Sequence, residues 1–184
     1  PDEQRLLPAL ARLRDAGTPL RLVLVPHEPT PEHLAESERQ LDALGLSHLR
    51  LSSLEASGAP LSADVLLVDR VGVLGDLYAA ADLAYVGGGF GGAGLHSVLE
   101  PAAFGAPALF GPRHDNAREA AELVAAGAGF DVTDEAALSA RRAHLLTSSA
   151  ERERAGAAAR AYVAAGLGAA KRGAELVTAM IDGE

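Results

Sequence analysis

The chain of 184 residues has no cysteine and no tryptophan, one methionine, and only four phenylalanines and three tyrosines. Without cysteine it can form no disulfide framework, thiolate zinc cluster or thiol nucleophile. That composition suits a reducing compartment, so a cytoplasmic location is expected. Long hydrophobic runs are missing too: nothing approaches the roughly 18 residues of a membrane span, and no signal peptide is visible. Positive charge is scarce, with 16 Lys and Arg against 25 Asp and Glu, a formal net charge of −9. This opposes a broad nucleic-acid or anionic membrane surface as partner, while allowing a few locally placed cations. His27-Glu28 and His33 lack the H-E-x-x-H spacing of a metal hydrolase, and prolines interrupt the helix that would align the imidazoles, so no metal site is expected. No G-x-S-x-G elbow is present for a Ser-His-Asp hydrolase. The first residue is Pro1 and not an initiator Met, which suggests a piece of a longer protein.

What the chain has in quantity is glycine, and it is concentrated. The stretch Asp64 to Gly111 reads as strand Val65–Asp69, helix Leu74–Ala81, strand Leu83–Val86, a loop from Gly87 to Gly94, helix Leu95–Phe104, and a buried strand over 106–111. Six of the eight loop residues are glycine, more than a tight turn needs. Glycine admits positive φ and close approach of a ligand to the main chain. A helix beginning directly after Gly94 would add free N–H groups and a dipole that favour an anion.

The remaining chain alternates strands with helices. Glu3–Asp15 is an amphipathic helix stopped by Gly17 and Pro19; Leu20–Val25 is a strand broken by Pro26; a helix starts at Thr30 or Pro31 and ends at Gly45. His48–Leu51 is a short strand followed by a small-residue loop through Pro60. Asn116–Ala126 and Ala136–Leu146 are helices on either side of strand Gly129–Val132, the second with Thr133 or Asp134 as cap. From about Glu151 onward the chain is Ala-rich and helical, and its last helix carries Leu176, Val177, Met180 and Ile181; both read as packing helices. The expected fold is α/β, a doubly wound, mostly parallel Rossmann-like sheet with helices on both faces, in one domain over 1–184.

Ligands of such sheets sit at the carboxyl ends of the strands. Several candidates fall there. The glycine loop matches G-x-G-x-x-G at Gly87, Gly89, Gly92 and again at Gly89, Gly91, Gly94. However, the fingerprint of an NAD site follows the first strand, with an acid ending the next strand, and neither condition holds here. No Gly-Lys-Ser/Thr closes the loop as a P-loop would. Glu100 is either a solvated helix carboxylate or an acceptor for a ribose or sugar diol. His96 is an N-terminal turn residue or a donor to phosphate or sugar. Arg50 and Arg113 are candidate cations for an anion, and Asn116 caps a helix or meets the ligand.

These residues also carry a resemblance. Pro26-His27-Glu28-Pro29, Arg50-Leu51-Ser52, Val68-Asp69-Arg70-Val71-Gly72-Val73-Leu74 with Leu77-Tyr78, Tyr85 to Phe90, Gly94-Leu95-His96-Ser97-Val98-Leu99-Glu100, and Phe110-Gly111-Pro112 with Asn116 follow in one order. Over most of residues 20 to 145 this resembles the carboxyl-terminal half of the 3-deoxy-D-manno-octulosonic acid (Kdo) transferases. The resemblance implies a GT-B glycosyltransferase, the donor CMP-Kdo, a lipid A precursor as acceptor, and no cofactor. It implies a donor site lined by Pro26 and His27, by Gly72, Val73 and Leu74, by Gly88, Gly89, Phe90 and Gly94 of the glycine loop, and by His96, Ser97 and Glu100, with Asn116 nearby. Glu100 would face the ribose. Ser97 stands where the family usually has Asn, and Val73 where many members have Glu. The general base, the acceptor domain and any membrane association belong, by this resemblance, to an amino-terminal domain absent from these residues. A UDP- or GDP-sugar enzyme of the same fold and a noncatalytic nucleotide-binding module are the alternatives.

Overall fold

A computed structural model describes residues 2–92 and 94–182. Pro1, Ala93 of the glycine loop and the side chain of Leu176 lie outside what is described. The elements follow in the order α1 (Glu3–Asp15), β1 (Leu22–Leu24), α2 (Pro31–Ala43), β2 (His48–Arg50), α3 (Leu51–Ser57), β3 (Val65–Leu67), α4 (Leu74–Tyr78), β4 (Ala84–Val86), α5 (Leu99–Phe104), β5 (Ala108–Phe110), α6 (Arg118–Ala125), β6 (Gly129–Asp131), α7 (Glu135–Thr147), α8 (Ser149–Gly166) and α9 (Ala169–Asp182).

Every strand pairing is parallel, as the alternation predicts. Among the described residues the strands form two three-stranded sheets, in the orders β1-β3-β2 and β4-β5-β6. Their central strands are apolar on both faces, as parallel sheets covered by helices require. In β3, Val65 and Leu67 pack with Leu7 and Leu10 of α1 and Leu34 and Leu41 of α2. Leu66 and the following Val68 turn the other way, onto Leu51, Leu54 and Leu77 of α3 and α4. In β5, Ala108 and Phe110 face Val98 just before α5 and Ala102, Leu123 and Ala159 of α5, α6 and α8, and Leu109 faces Leu6 of α1 with Leu138 and Leu145 of α7. Helix α1 therefore reaches both sheets from one face.

Two expectations change. Residues 51–57 are helix α3, not a loop. Its first turn is held from a distance, because Asp69 just past β3 accepts from the Ser52 N–H at 3.1 Å and from its hydroxyl at 2.5 Å. Helix α5 starts at Leu99, not Leu95. Leu95 is buried in the core beside Val98, but its backbone N–H and C=O are both bound by the Asn116 side chain, and the segment 94–97 lies outside any helix or strand.

Helix α8 lies against α5 so closely that a Cβ on Gly156 would meet the Gly105 carbonyl oxygen at 2.4 Å. Arg160 Nη1 donates to the Phe104 carbonyl at 2.9 Å. Along α9, Val177, Met180 and Ile181 are exposed. Among the described residues no helix is long and apolar enough to cross a membrane.

Candidate donor-binding cleft

Between the two sheets runs a cavity of about 1410 Å³. Its walls are β1 and β4, and its mouth lies at the carboxyl ends of the strands, where Pro26 and His27 follow β1 and Gly87 and Gly88 follow β4. This is the crevice where an open α/β sheet takes its ligand.

The two sides of the mouth touch through a pair of imidazoles. His27 and His96 stack with ring centroids 4.6 Å apart and planes inclined at 29°. His96 is placed by its own main chain, whose N–H donates to the Gly87 carbonyl at 3.1 Å. Ser97 and Glu100 follow on the same rim, and the turn of Gly72 and Leu74 closes the far side. The Glu100 side chain is exposed and forms no hydrogen bond or ion pair with the described residues. It lies near Tyr78, also on the cleft wall, whose hydroxyl is pushed above its ordinary range first by burial and then by the Glu100 charge. Sequence reading passed over Tyr78 as a site residue; its position in the short helix that follows the Gly72–Leu74 turn was the signal available.

The glycine loop is shaped by two close contacts. Gly88 has φ +98°, and a Cβ there would fall 2.1 Å from the Gly94 carbonyl oxygen. Gly89 is packed against the backbone of Gly111, so it braces the loop and does not line the cleft. Gly94 lies against the Asn116 side chain, with φ +89°. Within the described residues the N–H groups of Gly88 and Ser97 meet no acceptor, and both residues border the cleft.

The other expected site residues do not line this cleft. Phe90 packs against the cluster of Leu6, Leu109, Val132, Leu138 and Leu145, with the Arg5 guanidinium 4.6 Å over its ring. Val73 joins the cluster under α3 and α4. Arg50 is forked onto Glu38 by bonds of 2.7 and 2.8 Å; the Glu38 carboxyl is held below its ordinary range by that hydrogen bond. Arg113 is turned onto the loop, its N–H donating to the Gly89 carbonyl at 3.0 Å and Nη1 to Gly91 at 3.3 Å. Neither arginine is placed to meet a phosphate in the cleft. Asn116 neither caps α6, whose N-cap is Ala117, nor faces the cleft; it clamps Leu95. Because α5 starts at Leu99, its dipole is also displaced from Gly94. The polar groups at the mouth are thus the backbone N–H groups of Gly88 and Ser97, the two imidazoles and the Glu100 carboxylate. Among the described residues no group of three or more His, Asp or Glu is arranged to hold a metal ion.

Parallel strands, helices on both faces and a crevice at the strand ends define a Rossmann-like domain of the type that forms one half of a GT-B glycosyltransferase. No protein-family model matches the chain. The 3-deoxy-D-manno-octulosonic acid transferase of Bordetella pertussis is 38% identical over 159 residues, covering 85% of this chain and 36% of that protein. The enzyme of the same name from Aquifex aeolicus is 33% identical over 147 residues, 79% of this chain and 39% of that protein. Among solved structures, the C-terminal CMP-Kdo binding domain of WaaA from Acinetobacter baumannii superposes with a TM-score of 0.77 at 26% identity, covering 89% of this chain and 83% of that one. The chain is a relative of the Kdo transferases, and its fold is that of their carboxyl-terminal domain. It spans well under half the length of the curated relatives it matches.

Proposed function

We propose that this chain is the CMP-Kdo-binding domain of an inverting glycosyltransferase that hands Kdo to a lipid A precursor. The carrying observation is the cleft at the carboxyl ends of β1 and β4, where Glu100, His96 and the free N–H groups of Gly88 and Ser97 converge. Its support is the likeness to a domain described as binding CMP-Kdo. A nucleotide monophosphate fits such a rim: the unengaged Glu100 carboxylate accepts from a ribose diol, and backbone N–H groups and imidazole donate to the phosphate. In transfer, negative charge grows on the departing CMP phosphate, and donors already aimed at that position stabilise it without reorganisation. The acceptor, the general base and docking at the inner face of the cytoplasmic membrane belong in this reading to the remaining part of the enzyme, and 1–184 is one donor domain.

The test is titration with CMP, UMP and GDP, followed by NMR and calorimetry. CMP is expected to bind weakly, as half a cleft should, with shifts at Gly88, His96 and Ser97. Glu100→Ala is expected to weaken it by about 1 to 3 kcal/mol. Preference for UMP or GDP would replace the donor, and equal affinity of wild type and variant would reject Glu100 as the ribose ligand.

A further inference from the structure

We infer that Tyr78 is a specificity-determining residue of the cleft: its phenol hydroxyl and the Glu100 carboxylate together engage the two hydroxyls of one ribose, so that the domain selects ribonucleotides over their deoxy counterparts. The inference rests on the reading above that the cleft takes a nucleotide and that Glu100 meets its ribose.

Three observations carry it. The first is a hydroxyl with nothing to hold it. Of the three tyrosines, Tyr85 donates to Asp2 at 2.7 Å and Tyr162 donates to Glu122. The Tyr78 hydroxyl meets no hydrogen-bond partner among the described residues. Its ring is half-buried, and a buried tyrosine ordinarily finds a partner for its oxygen. That oxygen is not sealed inside the protein either. Among the described residues, the side-chain polar atoms that are sealed without a partner belong to Ser139 and Arg142. The Tyr78 hydroxyl therefore opens onto the cavity that its side chain lines.

The second is what lies beside it. Tyr78 is the last residue of α4 and Glu100 the second of α5, and the two helices lie against each other. Both residues border the cavity. The Glu100 charge reaches the Tyr78 hydroxyl and, after burial, raises its hold on the proton, yet no hydrogen bond joins the two groups. A phenol in direct contact with a carboxylate closes a bond of about 2.5 to 3.0 Å. Here a gap separates two groups that feel each other across it. The phenol is presented to that gap by an anchored backbone. Leu77 packs onto Leu51, Leu66 and Val68, and the Tyr78 carbonyl accepts from the Ala81 N–H at 3.1 Å. Few side-chain torsions remain to be ordered when a ligand arrives.

The third is the chemistry that fits between them. An ionised carboxylate only accepts, whereas a phenol also donates. A phosphate in the gap would bring acceptors alone and be repelled by Glu100. An ammonium group would satisfy Glu100 and leave the phenol proton without an acceptor. A vicinal diol supplies both halves, one hydroxyl donating to Glu100 and its neighbour accepting from Tyr78. The phosphate of the same nucleotide is met on the rim by His96 and the N–H groups of Gly88 and Ser97, which leaves Glu100 and Tyr78 to its uncharged neighbour.

The experiment titrates the chain and its Tyr78→Phe and Glu100→Ala variants with CMP, 2′-deoxy-CMP and 3′-deoxy-CMP by calorimetry. The wild type should bind CMP about tenfold more tightly than either deoxy analogue. Tyr78→Phe removes one oxygen and keeps the ring. It should weaken CMP by about fivefold to tenfold, abolish discrimination against one analogue and retain discrimination against the other. Its midpoint in urea should match that of the wild type, because no bond within the chain is lost. Wild-type affinity of Tyr78→Phe for CMP, or an equal loss toward all three ligands, would overturn the inference. A Tyr78→Phe chain that binds CMP normally and CMP-Kdo weakly would assign the hydroxyl to the sugar half of the donor, which overturns it as well. The reading of the cleft is judged separately, by whether the wild type binds CMP and Glu100→Ala weakens it. Failure there removes the ribose and the inference with it; failure of Tyr78→Phe alone leaves that reading standing.

Discussion

The side-chain amide of Asn116 closes a ring of two hydrogen bonds on the backbone of Leu95, accepting from its N–H and donating to its carbonyl, each at 3.0 Å. A polar side chain after β5 thereby does for the end of the glycine loop what a strand partner would do. The amide is also seated against Gly94, where a Cβ would meet it at 2.9 Å. Asn116→Ala should leave both partly buried backbone groups unpaired and cost about 1 to 3 kcal/mol in urea unfolding. CMP affinity should fall as well, although Asn116 does not border the cleft. Unchanged stability would mean that the clamp is dispensable.

The chain has three tyrosines and no tryptophan, so its ultraviolet titration reports tyrosine alone. All three hydroxyls are held above their ordinary range: Tyr78 by burial and then Glu100, Tyr85 by burial and then its bond to Asp2, and Tyr162 by its hydrogen bond to Glu122 and then burial, up to about 12. Above about pH 10 the unfolded chain loses these protons while the folded one keeps them. The unfolded state then binds fewer protons, so this contribution to stability is complete below about pH 10 and is lost as pH rises through about 12. The folded protein should show less tyrosinate absorbance at pH 10 than the urea-unfolded chain. Equal signals from the two at that pH would contradict the packing of these side chains.

Arg142 of α7 is only 7% exposed, and its Nε and Nη2 have no hydrogen-bond partner. Burial, and then repulsion from Arg12, bring its pKa down to about 10. The folded state thus bears the cost of a buried charge throughout the range below pH 10. Replacing a buried charge by an apolar side chain of similar length relieves that cost, so Arg142→Met should raise stability at neutral pH by about 1 to 4 kcal/mol. A lower midpoint in thermal or urea unfolding would show that the guanidinium is satisfied in solution.

The chain by itself should not transfer sugar. Its rim offers donors for a phosphate, but Glu100 is committed to the ribose in the reading above. Asp69 is bound by Ser52, whose hydrogen bonds outweigh the effect of burial and lower its pKa. General-base help contributes about 10² to 10⁴-fold and closure of a second domain adds positioning. An assay with CMP-Kdo and a lipid A precursor should give no measurable turnover for this chain and clear turnover for the longer parent. Equal turnover would place the base within these residues.

Elements whose cause is local were legible in the sequence. Helix α1 runs over Glu3–Asp15 as its leucine spacing predicts, with Leu6, Leu7 and Leu10 buried and Gly17 at φ +78° just beyond its end. The cap of α7 is equally local, Asp134 accepting from the Ala137 N–H at 2.8 Å. Elements fixed at long range were not. Helix α3 depends on Asp69, and the late start of α5 depends on Asn116. Leu95 and Val98 keep a helical spacing of apolar side chains even though the main chain of 94–97 is not helical. The site divided along the same line. His27, His96 and Glu100 lie at the mouth because strand ends and helix starts are readable from pattern. Arg50 and Phe90 stand away from the mouth because Glu38 and the α1–α7 cluster, remote in sequence, claim their side chains.

The contact of Gly156 with the Gly105 carbonyl bears on where this protein can be cut. The last strand ends at Asp131, and no residue of α8 borders the cleft mouth. Yet α8 is the splint behind the short helix that carries Glu100, seated on it at Gly105 and fastened at Phe104 by Arg160. A fragment trimmed to the last strand would retain every rim residue while losing the footing of the acid among them. The smallest unit with an intact rim therefore extends through Arg160.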